Sequence, residues 1–271
     1  MHPILTEFTI ANMHVVVYSY PTMLLIAALA CSTVFAALAL RSGIELRDVT
    51  LFIAVTGLAA LVGAQLGHAL DVIGSPAYRV ASPGDLISGH SLAGALLLAS
   101  GVGWVSARRL GLSPWKLADF SAPALGLGIA LAKTGCLLQG CCFGKPYSGW
   151  GALMFPPGSP AWSWQVDTGV IGPLSLPVSV WPVQIIEGGA ALLLGAVALY
   201  LLFAPWAPQG TAFLFFTSCY AIVRCTDTLI RAQSAGPIGY LVLASGAALC
   251  AYFVAMRFSE ARGARPSATA S

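Results

Sequence analysis

The chain has 271 residues, 58% of them hydrophobic and only 8% charged, with a formal net charge of +3. Soluble domains average about 25% charged residues, so this chain could not cover its surface in water. The composition excludes a soluble globular domain and places the protein in a bilayer, and no internal repeat, nucleotide fingerprint or nucleic-acid signature suggests another setting.

The leader before residue 20 has no Lys or Arg. The first apolar run, about 20–40, is too late, too long and too poorly flanked for a cleaved signal peptide. Further runs long enough to cross a hydrocarbon core, about 17–25 residues, fall near 50–72, 88–106, 117–139, 183–204, 211–230 and 236–256. The predicted fold is therefore an all-α polytopic membrane protein of about seven transmembrane helices. Arg41, Arg47, Arg108, Arg109, Lys116, Arg257, Arg262 and Arg265 fall in alternate connections and the tail, against Arg79, Lys145 and Arg231 on the other side. The positive-inside rule makes the first set cytoplasmic. The N-terminus is then out and the C-terminus in, with one transmembrane domain over 1–258. The segment 141–182 holds Trp150, Trp162, Trp164 and Trp181 with several Pro and Gly, and reads as an ordered outer interfacial loop. The polar, small-residue tail 259–271 reads as disordered.

Ionisable residues at membrane depth are expensive and are functional candidates by default. Here they are Lys133, Glu187, Arg224 and Asp227, with Arg231 just beyond and His68 and His90 near helix ends. The topology places Lys133, Glu187, Arg224 and Arg231 in the outer half of the membrane. Arg224 and Asp227, three apart, can pair on one helix, and a purely structural ion cluster is the plain alternative. The cations nevertheless outnumber the carboxylates, which leaves positive charge for an anion. The abundant anion at that depth is a phospholipid phosphate.

The stretch GCLLQGCCFG (135–144) ends the fourth run. Its C-x₄-C-C spacing without a nearby His is a poor match to a four-ligand zinc site, so neither metal nor cofactor is expected. A disulfide from Cys136 to Cys141 or Cys142 and three buried small thiols are the remaining readings. An adjacent Cys141–Cys142 bridge is geometrically disfavoured.

Several stretches in order resemble the bacterial phosphatidylglycerol–prolipoprotein diacylglyceryl transferase family. Tyr20 with PTMLLIAALA is similar to the family's opening of helix 1, GLAALVGAQLGHAL (57–70) to its small-residue helix 2, and GHSLAGALLLA (89–99) to its helix 3. KLADFSAPALGLGIALAKTGCLLQGCCFG (116–144) resembles the helix 4 signature, PVSVWPVQIIEG (177–188) the start of the next helix, and Arg224 and Arg231 two arginines at the same spacing. The resemblance implies transfer of diacylglycerol from phosphatidylglycerol to the lipobox cysteine thiol of a prolipoprotein, with glycerol phosphate leaving, in the bacterial inner membrane with its site toward the outer leaflet. It implies Lys133 and Arg224 as phosphate clamps. It adds Tyr20, Gln65, Cys136, Gly144, Gln184, Glu187 and Arg231 as substrate-binding residues, and Asp119 and Pro123 as structural ones.

Four positions depart from the family pattern. Its helix 3 His aligns with Leu92, its second His with Trp181, its helix 2 Arg with Gln65, and a common Asn with Cys136. His90 stands two residues before Leu92, about 200° around a helix, and His90, His68 or Glu187 is left as the candidate proton acceptor. Two alternatives follow from these departures. One is a paralogue that binds an anionic phospholipid and passes another group, such as phosphoglycerol, to a different acceptor. The other is a non-catalytic lipid-binding subunit.

Overall fold

The computed structural model describes residues 4–10, 13–74, 91–232, 244–246, 248–249, 251–253 and 255–256. In chain order these form β1 (Ile4–Ile10), β2 (Met13–Tyr18), α1 (Ser19–Arg41), α2 (Leu46–Gly74), α3 (Leu92–Arg109), α4 (Pro114–Gln139), α5 (Pro160–Asp167), α6 (Val183–Leu202) and α7 (Thr211–Ile230). Helices α1, α2, α4, α6 and α7 are long and apolar enough to cross a membrane. The protein is a mostly helical, polytopic membrane protein. The predicted run 236–256 falls largely outside the described residues; those described within Ala244–Phe253 are helical. The tail 259–271 also lies outside them.

Two elements depart from the purely helical expectation. The leader folds into an antiparallel hairpin whose backbone register pairs position 8 with 15 and position 10 with 13. Its β-branched residues, including Thr6, Thr9, Val15, Val16 and Val17, favour a pleated strand, and a search for apolar runs of about 20 residues passes over them. Within the 141–182 segment lies the short helix α5. Ser159 caps it by accepting from Trp162 N at 3.2 Å, and Pro160 occupies its first turn, the usual chemistry of a helix start. The third run starts later than predicted, at Leu92, because Ser91 caps it through Gly94 N at 3.3 Å.

Helix α4 is the central element and packs along α1 and α6 and against α7, while α2 pairs with α3. The close contacts use small residues. A side chain added at Gly126 would meet Ala191 O at 2.7 Å and Gly195, and Gly63, Gly67 and Gly94 let α2 and α3 touch backbone to backbone. Membrane helices associate this way because lipid supplies no hydrophobic drive between them. One core cluster joins Phe35, Val49, Leu117 and Phe120; another joins Ile129, Ala191, Phe216 and Tyr220. The outer surface is the reverse of a soluble protein's. Leu58, Val62, Leu66 and Leu70 form one exposed stripe on α2, whereas Glu187 has 0% exposure. Asp119 fixes the far end of α7, its carboxylate accepting from Gly210 N at 2.6 Å and Phe213 N at 3.0 Å. That satisfies backbone donors at a buried helix start, a structural role as expected.

Candidate active site

The C-terminal end of α4, the start of α6 and the C-terminal half of α7 meet at one end of the bundle. The charged residues meet there too. Glu187 Oε2 accepts from Lys133 Nζ at 2.7 Å and lies 3.0 Å from one guanidinium nitrogen of each of Arg224 and Arg231. Its other oxygen, Oε1, accepts from the Tyr220 hydroxyl at 2.8 Å. Asp227 Oδ2 takes the same two guanidinium nitrogens, at 2.8 Å from Arg224 and 3.0 Å from Arg231. Three cations thus converge on two carboxylates, as the sequence implied. Arg224 is the most accessible of the three, with 24% of its side chain exposed. Asp227 Oδ1 is buried without a hydrogen-bond partner among the described residues.

Helix periodicity builds the cluster. Tyr220, Arg224, Asp227 and Arg231 are spaced four, three and four apart, which places them on one face of α7 and its terminus. Lys133 projects from the last turns of α4 over Gly188, whose missing side chain leaves room: a Cβ there would lie 3.1 Å from Lys133 Cβ. Gln184 and Glu187, three apart, share a face of α6. Gln184 Nε2 donates to Cys141 O at 2.7 Å, while its Oε1 is buried with no donor among the described residues. Burial pulls the Arg231 guanidinium down, but Cys142, Glu187 and Asp227 together push it up, so it stays charged.

The GCLLQGCCFG turn closes over this cluster. Gly140 ends α4 in the left-handed conformation at φ 77°, and Cys141 N returns to Cys136 O at 3.1 Å. Cys142 has φ 57° and is the one non-glycine residue with positive φ among those described. Gly144 N donates to Trp181 O at 3.2 Å, and a Cβ on Gly144 would meet the Ile230 and Trp181 carbonyl oxygens, each at 2.9 Å. Gly144 therefore draws the turn against the start of α6 and the end of α7. The free thiols of Cys136, Cys141 and Cys142 have their sulfurs within 4.8 Å of one another. Tyr20 joins from α1, its ring edge against Gly135.

Of the expected residues, Lys133, Glu187, Arg224 and Arg231 form one cluster, and Cys136, Gln184, Gly144 and Tyr20 adjoin it. Gln65 is half-buried on α2, between the glycines of the α2–α3 hairpin. His90 lies outside the described residues. Trp181 is stacked on Tyr147, with ring centroids 3.7 Å apart. Sequence reasoning did not select Tyr220 and gave Asp227 no role beyond pairing with Arg224. The four-three-four spacing with Arg224 and Arg231 was the signal that could have found both. Elsewhere an apolar cavity of about 400 Å³ opens among α1, α2, α3 and α4, lined by residues such as Ala28, Phe35, Thr56, Leu96 and Leu125.

Comparison with known proteins agrees with this arrangement. The family model described as prolipoprotein diacylglyceryl transferase matches residues 7–259. A phosphatidylglycerol–prolipoprotein diacylglyceryl transferase of Dehalococcoides mccartyi is 30% identical over 172 residues, 63% of this chain and 61% of that protein. One from another strain of the same species is 28% identical over 181 residues, 66% of this chain and 64% of that protein. The enzyme of that name from Aromatoleum aromaticum is 28% identical over 209 residues, 73% of this chain and 71% of that protein. The alignments thus span less than two thirds of the Dehalococcoides relatives. With a match that covers both the helical frame and the ion cluster, this chain belongs to the prolipoprotein diacylglyceryl transferase family.

Proposed function

We propose that this protein transfers the diacylglyceryl group of phosphatidylglycerol to the lipobox cysteine thiol of a prolipoprotein, forming a thioether and releasing glycerol phosphate. The observation that carries the reading is the arrangement of Lys133, Arg224 and Arg231 on only two carboxylates. Fixed positive charge in a low-dielectric site stabilises a departing phosphate. Arg224, the most accessible of the three, is the first to meet a headgroup, and Lys133 adds a point charge without a fork. The apolar cavity among α1 to α4 suits acyl chains. The excess of basic residues in alternate connections supports a cluster that opens toward the outer leaflet, and the reading sets the protein in the bacterial inner membrane. In this reading residues 1–258 form a single transmembrane domain with 141–182 at the outer interface.

The acceptor half of the reaction is where this chain departs from the family pattern. Leu92 and Trp181 stand at the two family histidines, and Trp181 is stacked under Tyr147. That observation favours a second reading, in which the same clamp holds an anionic phospholipid and another group, such as phosphoglycerol, passes to a different acceptor.

Purified protein in phosphatidylglycerol vesicles with a lipobox cysteine peptide tests the first reading by mass spectrometry. It requires a diacylglyceryl mass gain on the peptide, matched by released glycerol phosphate and lowered about 100–1000-fold in Lys133→Ala or Arg224→Ala. An unmodified peptide, under conditions where another family member works, refutes it.

A further inference from the structure

The cysteine cluster is not used by the clamp, and its geometry has a meaning of its own. Cys136 sits in the last turn of α4, 5% exposed. The left-handed Gly140 reverses the chain, and Cys142 itself adopts φ 57°. A non-glycine residue in that region is strained and persists only where its surroundings impose it. Here Gln184 holds the Cys141 carbonyl at 2.7 Å, and Ala232 N donates to Phe143 O at 3.2 Å. The imposed turn brings three sulfurs within 4.8 Å of one another.

We infer that Cys136, Cys141 and Cys142 are a three-thiolate site for a zinc-class divalent ion whose open fourth position takes the acceptor thiol. The last clause rests on the transferase reading above. Tetrahedral zinc at about 2.3 Å from each sulfur needs sulfurs about 3.8 Å apart, and the three sulfurs already lie within 4.8 Å of one another. The C-x₄-C-C spacing lacks the fourth protein ligand of a closed structural site, and three protein ligands with one vacancy are the catalytic pattern. Thiolates select zinc-class metals over hard cations. Lys133 and Arg231 interact electrostatically with Cys142 and offset the negative charge that three thiolates bring. Lys133 still adds its charge toward the phosphate beside Arg224, the more accessible of the two.

A thiol coordinated to zinc is deprotonated outright and needs no strong neighbouring base. The acceptor RSH enters the fourth position and releases its proton to water. The bound sulfur's electron pair then forms the S–C bond to the glyceryl carbon, and the C–O bond to phosphate breaks with its electrons on oxygen. Glycerol phosphate leaves, and the neutral thioether, a weak ligand, dissociates.

Elemental analysis of full-length protein, purified reduced and without chelator, tests the site apart from activity. About one zinc per chain is expected in the wild type, with near-complete loss in Cys136→Ser and Cys142→Ser. Because either variant could misfold, the second measurement uses wild-type protein stripped by chelator and checked for helicity by circular dichroism. Added Co(II) should give a sulfur-to-cobalt charge-transfer band that changes on adding the lipobox cysteine peptide and not its serine version. Absence of both zinc and the cobalt band overturns the site. A band indifferent to the peptide overturns the open position. Stripped protein that transfers diacylglycerol at the wild-type rate overturns the inference and leaves the transferase reading standing. Metal and peptide response without transfer keeps the site and refutes the transferase reading.

Discussion

Replacing Glu187 by Gln keeps its shape and removes one charge from the centre of the cluster. Glu187 is fully buried, and its Oε2 meets Lys133, Arg224 and Arg231 at 2.7, 3.0 and 3.0 Å. The wild-type cluster sets three cations against two carboxylates; the variant sets three against one. Breaking a buried pair by removing one partner costs about 3–5 kcal/mol. At about 2–4 °C per kcal/mol for a chain of roughly this size, that predicts a fall in melting temperature of about 6–20 °C. Lys133→Met moves the balance the other way, to two cations on two carboxylates, and should cost less. Thermal unfolding in detergent, followed by near-ultraviolet circular dichroism, reads both. The double variant should be less destabilised than the two single effects added, since both act on one 2.7 Å contact. A Glu187→Gln melting temperature within about 2 °C of wild type would refute the claim that this carboxylate organises the site.

Arg231→Lys retains the charge and loses the guanidinium that serves Glu187 and Asp227 together at 3.0 Å each; a loss of about 1–3 kcal/mol in the same melt and weaker transfer are expected. Asp119→Ala strands the Gly210 and Phe213 amides at the far end of α7. It should cost about 1–3 kcal/mol of stability while transfer at low temperature stays at the wild-type rate, as the peptide assay would register. Gly144→Ala places a methyl against the Trp181 and Ile230 carbonyls, and about 1–3 kcal/mol of destabilisation should appear with faster proteolysis of the 141–182 segment.

The helical frame was legible because burial in lipid demands long uninterrupted apolar runs, and six of the seven predicted runs have a helix at their place. The ion cluster was legible for a related reason: Lys133, Glu187 and Arg224 are conspicuous in a chain that is 8% charged. Tyr220 was not conspicuous, because an aromatic residue in an apolar helix looks like core until its hydroxyl is seen on Glu187. The β1–β2 hairpin was hidden by its shortness. The sequence left Cys136 either bridged to Cys141 or Cys142 or buried as a thiol, because the meeting of all three sulfurs depends on φ at Gly140 and Cys142. Spacing alone could not supply those angles. The resemblance implies Gly144 as a substrate-binding residue, and the structure shows its backbone packed closely against the Trp181 and Ile230 carbonyls.

The claim on which the account turns is that the cations beyond the two carboxylates hold a lipid phosphate. Native mass spectrometry of protein released from mixed phosphatidylglycerol and phosphatidylethanolamine nanodiscs measures this without requiring turnover. The account predicts one retained phosphatidylglycerol on the wild type, lost selectively in Lys133→Met and Arg224→Ala with overall lipid retention unchanged. Equal retention of phosphatidylglycerol by wild type and both variants would contradict it.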